Sequence, residues 1–148
     1  MQPSLIREAI AEAASAVVLP AGIAKLTCTG YVPDAVTAPH FFVAEYEQDF
    51  DKAHGRALDE LMFTSRVLVG RADDQAAQRT LDAMLAGSGT ASLKTAIEAA
   101  RGAPGEYALG GLAHDLHVTR VQGYRWYEHA GTTYVGAELM IRVIGQGS

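Results

Sequence analysis

The most regular pattern of hydrophobic and polar positions lies in the last third of the chain. Between Thr132 and Ile144, the residues Thr133, Val135, Ala137, Leu139, Ile141 and Val143 alternate with Tyr134, Gly136, Glu138, Met140 and Arg142. A period of two places the first set on one side of a strand and the second on the other. Leu116 to Glu128 is a second β-like run. His129-Ala130-Gly131 between the two has the length and the glycine of a tight turn, which predicts a hairpin. Two strands are predicted upstream. From His40 to Phe50, one side carries Phe42, Ala44, Tyr46, Gln48 and Phe50. The other carries Phe41, Val43, Glu45, Glu47 and Asp49, and so changes from apolar to acidic along its length. Asp51 to Asp59 reads as a loop. From Leu61 to Val69, Leu61, Phe63, Val67 and Val69 oppose Met62, Thr64, Arg66 and Leu68, as in a strand with both faces partly covered.

Helical spacing appears three times. Pro3 to Val18 carries Leu5, Ala9, Ile10, Ala13 and Val17 on one face, with Pro3 suited to a first turn and Pro20 and Gly22 ending the segment. Its alanines predict a helix lying close against a sheet. Asp73 and Asp74 are N-cap candidates for a second helix with Ala77, Leu81, Met84 and Leu85 inward and Gly87 at its C′ position. A third helix spans Ser92 to Arg101, with Leu93, Ala96, Ile97 and Ala100 inward. Between the first helix and the first long strand, Ile23 to Cys28 is a short extended stretch. Pro33 and Pro39 then bracket an irregular linker. The glycine-rich segment before Asp115 reads as a loop. The element order is helix, extended segment, strand, strand, helix, helix, strand, strand. Consecutive strand pairs favour antiparallel hairpins, so the fold expected is α+β: an antiparallel or mixed sheet with helices packed on one face. At 148 residues, all of it (1–148) is expected to form a single domain.

Charge and composition narrow the function. The net charge is −5 and the basic residues are scattered, which is not the footprint of a nucleic-acid-binding surface. Cys28 is the single cysteine, so no internal disulfide can form. No unbroken apolar run reaches the length of a membrane span, and a soluble protein is expected. No nucleophile motif appears, and Cys28 in an apolar segment reads as a small buried hydrophobe. His114, Asp115 and His117 form the best metal candidate, but His40, His54 and His129 add no helpful spacing, and zinc needs three or four ligands. Gly87-Ser88-Gly89 lacks the lysine of a phosphate loop. No catalytic, cofactor-binding or metal-ligating residue is therefore assigned, and the chain is expected not to be an enzyme. Two features remain. Glu45, Glu47, Asp49 and Asp51 form an alternating acidic run. Tyr124, Arg125, Trp126 and Tyr127 form the densest aromatic cluster, which suits either an interface or a core with cross-strand pairs.

Spread along the chain are the helix LIREAIAEAASAV, the Tyr31-Val32-Pro33-Asp34 turn and the segment PHFFVAEYEQDF. FTSRVLVGRADD follows, running into a helix, and then the hairpin VTRVQGYRWYEHAGTTYVGAELMIRVIG. Together these resemble the tail terminator proteins of long-tailed phages, including those of actinobacterial phages. The resemblance implies a structural virion protein, assembled in the host cytoplasm and located in the tail and neck. It would form a hexameric ring that caps the tail tube, stops tube polymerisation and presents a joining surface to the head-completion (connector) protein. DNA would pass through the channel without specific binding. Glu45, Glu47, Asp49 and Asp51 are then candidates for an acidic lumen or a subunit interface, together with Tyr124, Arg125, Trp126 and Tyr127. The alternatives are a head-completion (stopper) protein or a small ligand-binding domain or enzyme using His114, Asp115, His117 and the aromatic cluster.

Overall fold

The strict alternation of the C-terminal run builds the centre of the sheet. In the computed structural model, which describes residues 1–50, 58–71, 75–103 and 105–146, five strands are present. They are β1 (Thr27–Thr29), β2 (His40–Asp49), β3 (Leu58–Arg71), β4 (Asp115–His129) and β5 (Thr132–Gln146). Their order is β1-β2-β3-β5-β4. β1 runs parallel to β2, and every other neighbouring pair is antiparallel. Three helices accompany them: α1 (Pro3–Ala14), α2 (Gln75–Leu85) and α3 (Leu93–Glu98). The fold is α+β with a mixed sheet.

Val135, Ala137, Leu139, Ile141 and Val143 of β5 are all buried, and with Leu61, Phe63 and Val67 of β3 they form the floor of the core. Ile6, Ile10 and Ala14 of α1, Ala77, Leu81 and Met84 of α2, and Leu93 and Ile97 of α3 close it from above. Each large apolar side chain fully buried there contributes about 1.5–3 kcal/mol relative to exposure. α1 does lie close to its neighbour: a Cβ on Gly30, just after β1, would sit 2.9 Å from the backbone of Arg7 and Glu8. Only glycine permits that approach.

Several expectations shift. Ile10 and Val17 of the stripe expected for α1 are buried, but Leu5 is exposed, and Ile6 and Ala14 complete the buried face. This rotation buries two isoleucines where the predicted stripe would bury one leucine and one isoleucine. The helix ends at Ala14, and Val18 donates its N–H to the Thr90 carbonyl instead of continuing the helix. β3 starts at Leu58, so Asp59 lies in a strand. It is buried and accepts from Gln48 Nε2 at 3.2 Å. Ser92 is the N-cap of α3, accepting from the Thr95 N–H, and the helix proper starts at Leu93. A left-handed backbone follows α2 at Gly89 (φ 110°), not at Gly87. The segment before Asp115 is more ordered than a glycine-rich loop, with Ala108 and Leu109 in the core and a bridge from Ala108 to Ala113. The predicted caps Asp73 and Asp74, together with His54 and Asp51, lie outside the described residues.

The largest difference is in β2. Its register against β3 slips between Val43 and Glu45, leaving Ala44 as the extra residue of a bulge. A bulge reverses which face later side chains occupy. Phe41 and Val43 face the core beside Val67 and Ser65, but after the bulge it is Tyr46 and Gln48 that share that face with Phe63 and Leu61. Glu45, Glu47 and Asp49 therefore stand on the side of Phe42, opposite the helices, and not on the side of Phe41 and Val43.

The β4–β5 hairpin turns through Ala130 (φ 50°) and Gly131 (φ 82°), the two positive φ values that a two-residue type I′ loop requires. The His129 Nε2 lies 2.7 Å from the Pro33 carbonyl, and its ring is 6.0 Å from that of Phe42. β4 and β2 have β3 and β5 between them, so this contact means that the hairpin end curls over the face opposite the helices. Phe42 and Leu68 are buried beneath it.

Candidate functional site

The face opposite the helices is held by charge. Glu138 is the one acidic side chain of β5 and is 6% exposed. Its Oε2 accepts from Arg66 Nε on β3 at 2.9 Å, and its Oε1 accepts from Gln122 Nε2 on β4 at 3.3 Å. Arg66 also lies 3.6 Å from Glu45. The Arg66 and Arg125 guanidinium groups lie 5.6 and 4.8 Å from the centre of the Tyr127 ring. The Tyr127 hydroxyl donates to the Gly123 carbonyl at 2.6 Å. Burial, and then the charge of Glu138, push the Tyr127 phenol above its usual range, against the opposing pull of Arg125 and Arg66. The register of β4 slips between Gln122 and Arg125, and Gly123 occupies this bulge at φ 63°. A Cβ there would meet the Tyr127 hydroxyl at 2.6 Å.

The aromatic cluster is split by the strand. Tyr127 faces Tyr134 on the charged side, half-buried, whereas Trp126 faces Val135 on the helix side and is 66% exposed. Tyr124 is 47% exposed. Burial, and then Asp82 of α2, raise its phenol. A core role is thus excluded for Tyr124 and Trp126. Both line a surface depression with Gln78, Arg125 and Val135. Of the acidic run, Glu45, Glu47 and Asp49 are exposed along one side of β2, while Asp51 falls outside the described residues.

The histidine candidates do not converge. His114 packs against Tyr107, with ring centres 5.0 Å apart. The His117 Nδ1 lies 2.8 Å from Glu98 of α3, which also accepts from the Val118 N–H at 3.0 Å. Asp115 accepts two bonds from Arg101, at 2.8 and 3.2 Å, and these hold its carboxyl below the usual range. Among the described residues, no group of three or more His, Cys, Asp or Glu is placed to hold a metal ion. Burial pushes the Cys28 thiol up to about 12, so it is not a thiolate at neutral pH. His40 is buried. Its Nδ1 accepts from the Thr37 N–H at 3.3 Å and its Nε2 faces Thr29 Oγ1 at 3.1 Å. Burial, and then the nearby His129, lower its pKa. It anchors the linker and has no substrate-facing position.

Both edges of the sheet are half covered. β1 pairs only with His40 to Phe42, so β2 is outermost from Val43 onward among the described residues. Arg7 of α1 reaches this edge, donating to the Ala44 carbonyl at 3.0 Å and stacking over Tyr46. On the far side, α3 and the 3-10 turn Ala99–Arg101 shield only the start of β4, through Glu98 and Arg101. From Thr119 to Trp126 most of β4 is exposed. Sequence reading missed Glu138, Arg66, Gln122 and Glu98. A lone carboxylate within the alternating run of β5 was the available signal for the first.

No protein-family model matches the chain, and no curated protein matches it. Among the described residues, no helix is long and apolar enough to cross a membrane.

Proposed function

We propose that this chain is a ring-forming structural subunit, a tail terminator that caps a phage tail tube and offers a joining surface to the head connector. The observation that carries this reading is a sheet with two part-open edges and a hairpin of 15-residue strands reaching one of them, on a surface with no convergent catalytic groups described. Open edges are templates for pairing with another chain, and a self-assembling subunit makes use of them. The exposed acids Glu45, Glu47 and Asp49 suit either a DNA-repelling channel wall or a contact between subunits. The head-completion reading shares the same surfaces and differs only in the partner.

Solution mass measured against concentration, by light scattering after gel filtration, tests this. A species of six subunits, formed by the chain alone or on added tail tubes, is expected. A chain that stays monomeric with tail tubes present contradicts it.

A further inference from the structure

The two part-open edges match each other. β2 is blocked at its His40 end by β1 and, among the described residues, open at its Asp49 end. β4 is blocked at its Asp115 end by α3 and open from Thr119 toward the hairpin tip. Asp49 and Asp115 lie at the same end of the sheet, because Asp49 pairs with Glu60, Glu60 with Ile144, and Ile144 with Asp115. The open half of one edge is therefore at the opposite end from the open half of the other.

The side chains match as well. On the helix side, β2 presents Tyr46, 39% exposed, and β4 presents Val121 and Trp126. On the opposite side, β2 presents Glu47, and β4 presents Arg120 and Arg125. Three successive antiparallel pairings separate β2 from β4, so the two run in opposite directions. A neighbour placed alongside without being turned over thus offers an antiparallel strand. Its aromatic side chain meets apolar ones and the Glu47 carboxylate meets a guanidinium group, each on the correct face.

We infer that copies of this chain join head to tail, the edge of β4 from Thr119 to Trp126 on one copy lying beside the edge of β2 from Glu45 to Asp49 on the next. The inference rests on the ring-subunit reading and specifies its contact. The offset of the open halves staggers each copy against its neighbour by part of a strand length. The contact is heterologous, and such contacts close into rings when the rotation between copies permits it. Backbone pairing supplies attraction at a sheet edge, and the charged pair sets register and excludes wrong partners. Glu47 then belongs to the joint between subunits and not to the channel wall.

Charge reversal distinguishes this contact from the broader reading. Glu47→Lys and Arg120→Glu are each expected to weaken assembly about tenfold or more, since like charges across an interface are costly. The two together in one chain should restore it. The single tryptophan, Trp126, gives an independent signal, with its emission shifting to shorter wavelength on assembly and failing to shift in either single variant. Far-UV circular dichroism establishes that each variant is folded. Should a variant not fold, Glu47→Cys with Arg120→Cys in one chain replaces it, and oxidation should then link copies into covalent multimers. Rings that form equally well in both single variants, or cysteines that never cross-link in assembled material, would overturn the edge contact and leave the ring reading standing. A chain that is monomeric even on tail tubes overturns both.

Discussion

The two faces of the sheet are built on different principles. The helix side is apolar along β3 and β5: Phe63, Leu139 and Ile141 meet the apolar stripes of three helices, and nearly every position of these two strands on that side is buried. The opposite side has no helix layer. It is closed at one end by the curled hairpin, and Arg66, Glu138, Gln122 and Tyr127 knit β3, β5 and β4 together. Apolar packing is non-directional and tolerates small shifts, whereas the charged network fixes which strand positions face each other. The first face therefore supplies most of the stability, and the second sets register and shape.

Removing volume from the apolar face should have the largest effect. Phe63→Ala is expected to cost about 3–5 kcal/mol, read as a lowered urea midpoint with unchanged slope. A loss under 1 kcal/mol would mean that the helices pack less tightly than described. Glu138→Ala on the charged face should cost about 1–3 kcal/mol, because Arg66 and Gln122 lose a buried acceptor. If Phe63→Ala and Glu138→Ala proved equally damaging, the division between the faces would fail. The smallest effect belongs to the edge of the sheet that α3 shields. Burial pushes the Glu98 carboxyl up, but hydrogen bonds from Lys94 and the Val118 N–H bring it below its ordinary value overall. The Asp115 carboxyl is likewise depressed, chiefly by Arg101. For groups lowered on folding, the stabilisation is complete above the unfolded-state values and is lost as pH falls through the folded ones. Denaturant midpoints at pH 7 and pH 3 should therefore converge in the double variant Glu98→Gln, Asp115→Asn relative to the parent. An unchanged pH dependence would remove these two groups from the account.

The parts of this fold that were legible in the sequence are those where one strand or helix decides its own pattern. β5 alternates over its whole length, and its apolar face is the one buried. The order of elements and the hairpin followed from similar local signals. What was not legible depends on a partner. The bulge at Ala44 exists only because β2 must pair with β3, and it moves Glu45, Glu47 and Asp49 to the other face without any mark in their own spacing. Glu138 and Arg66 lie 72 residues apart, and only the β3–β5 pairing brings them together. The aromatic cluster was found as a cluster; strand alternation divides Trp126 from Tyr127, and the bulge at Gly123 decides that Trp126 takes the helix side and Tyr127 the charged one. Ile10 and Val17 of the stripe expected for α1 are buried but Leu5 is not, because an alanine-rich helix offers several faces of similar hydrophobicity.

The strand order also has a consequence in time. β5 lies between β3 and β4, yet it follows both of them in the chain. During synthesis, β3 must wait with its inner edge unpaired until residues 132–146 have left the ribosome. Pairings between segments this far apart in sequence form slowly, and unpaired strand edges invite aggregation while they wait. An interior strand of the sheet is the last part of it to be made.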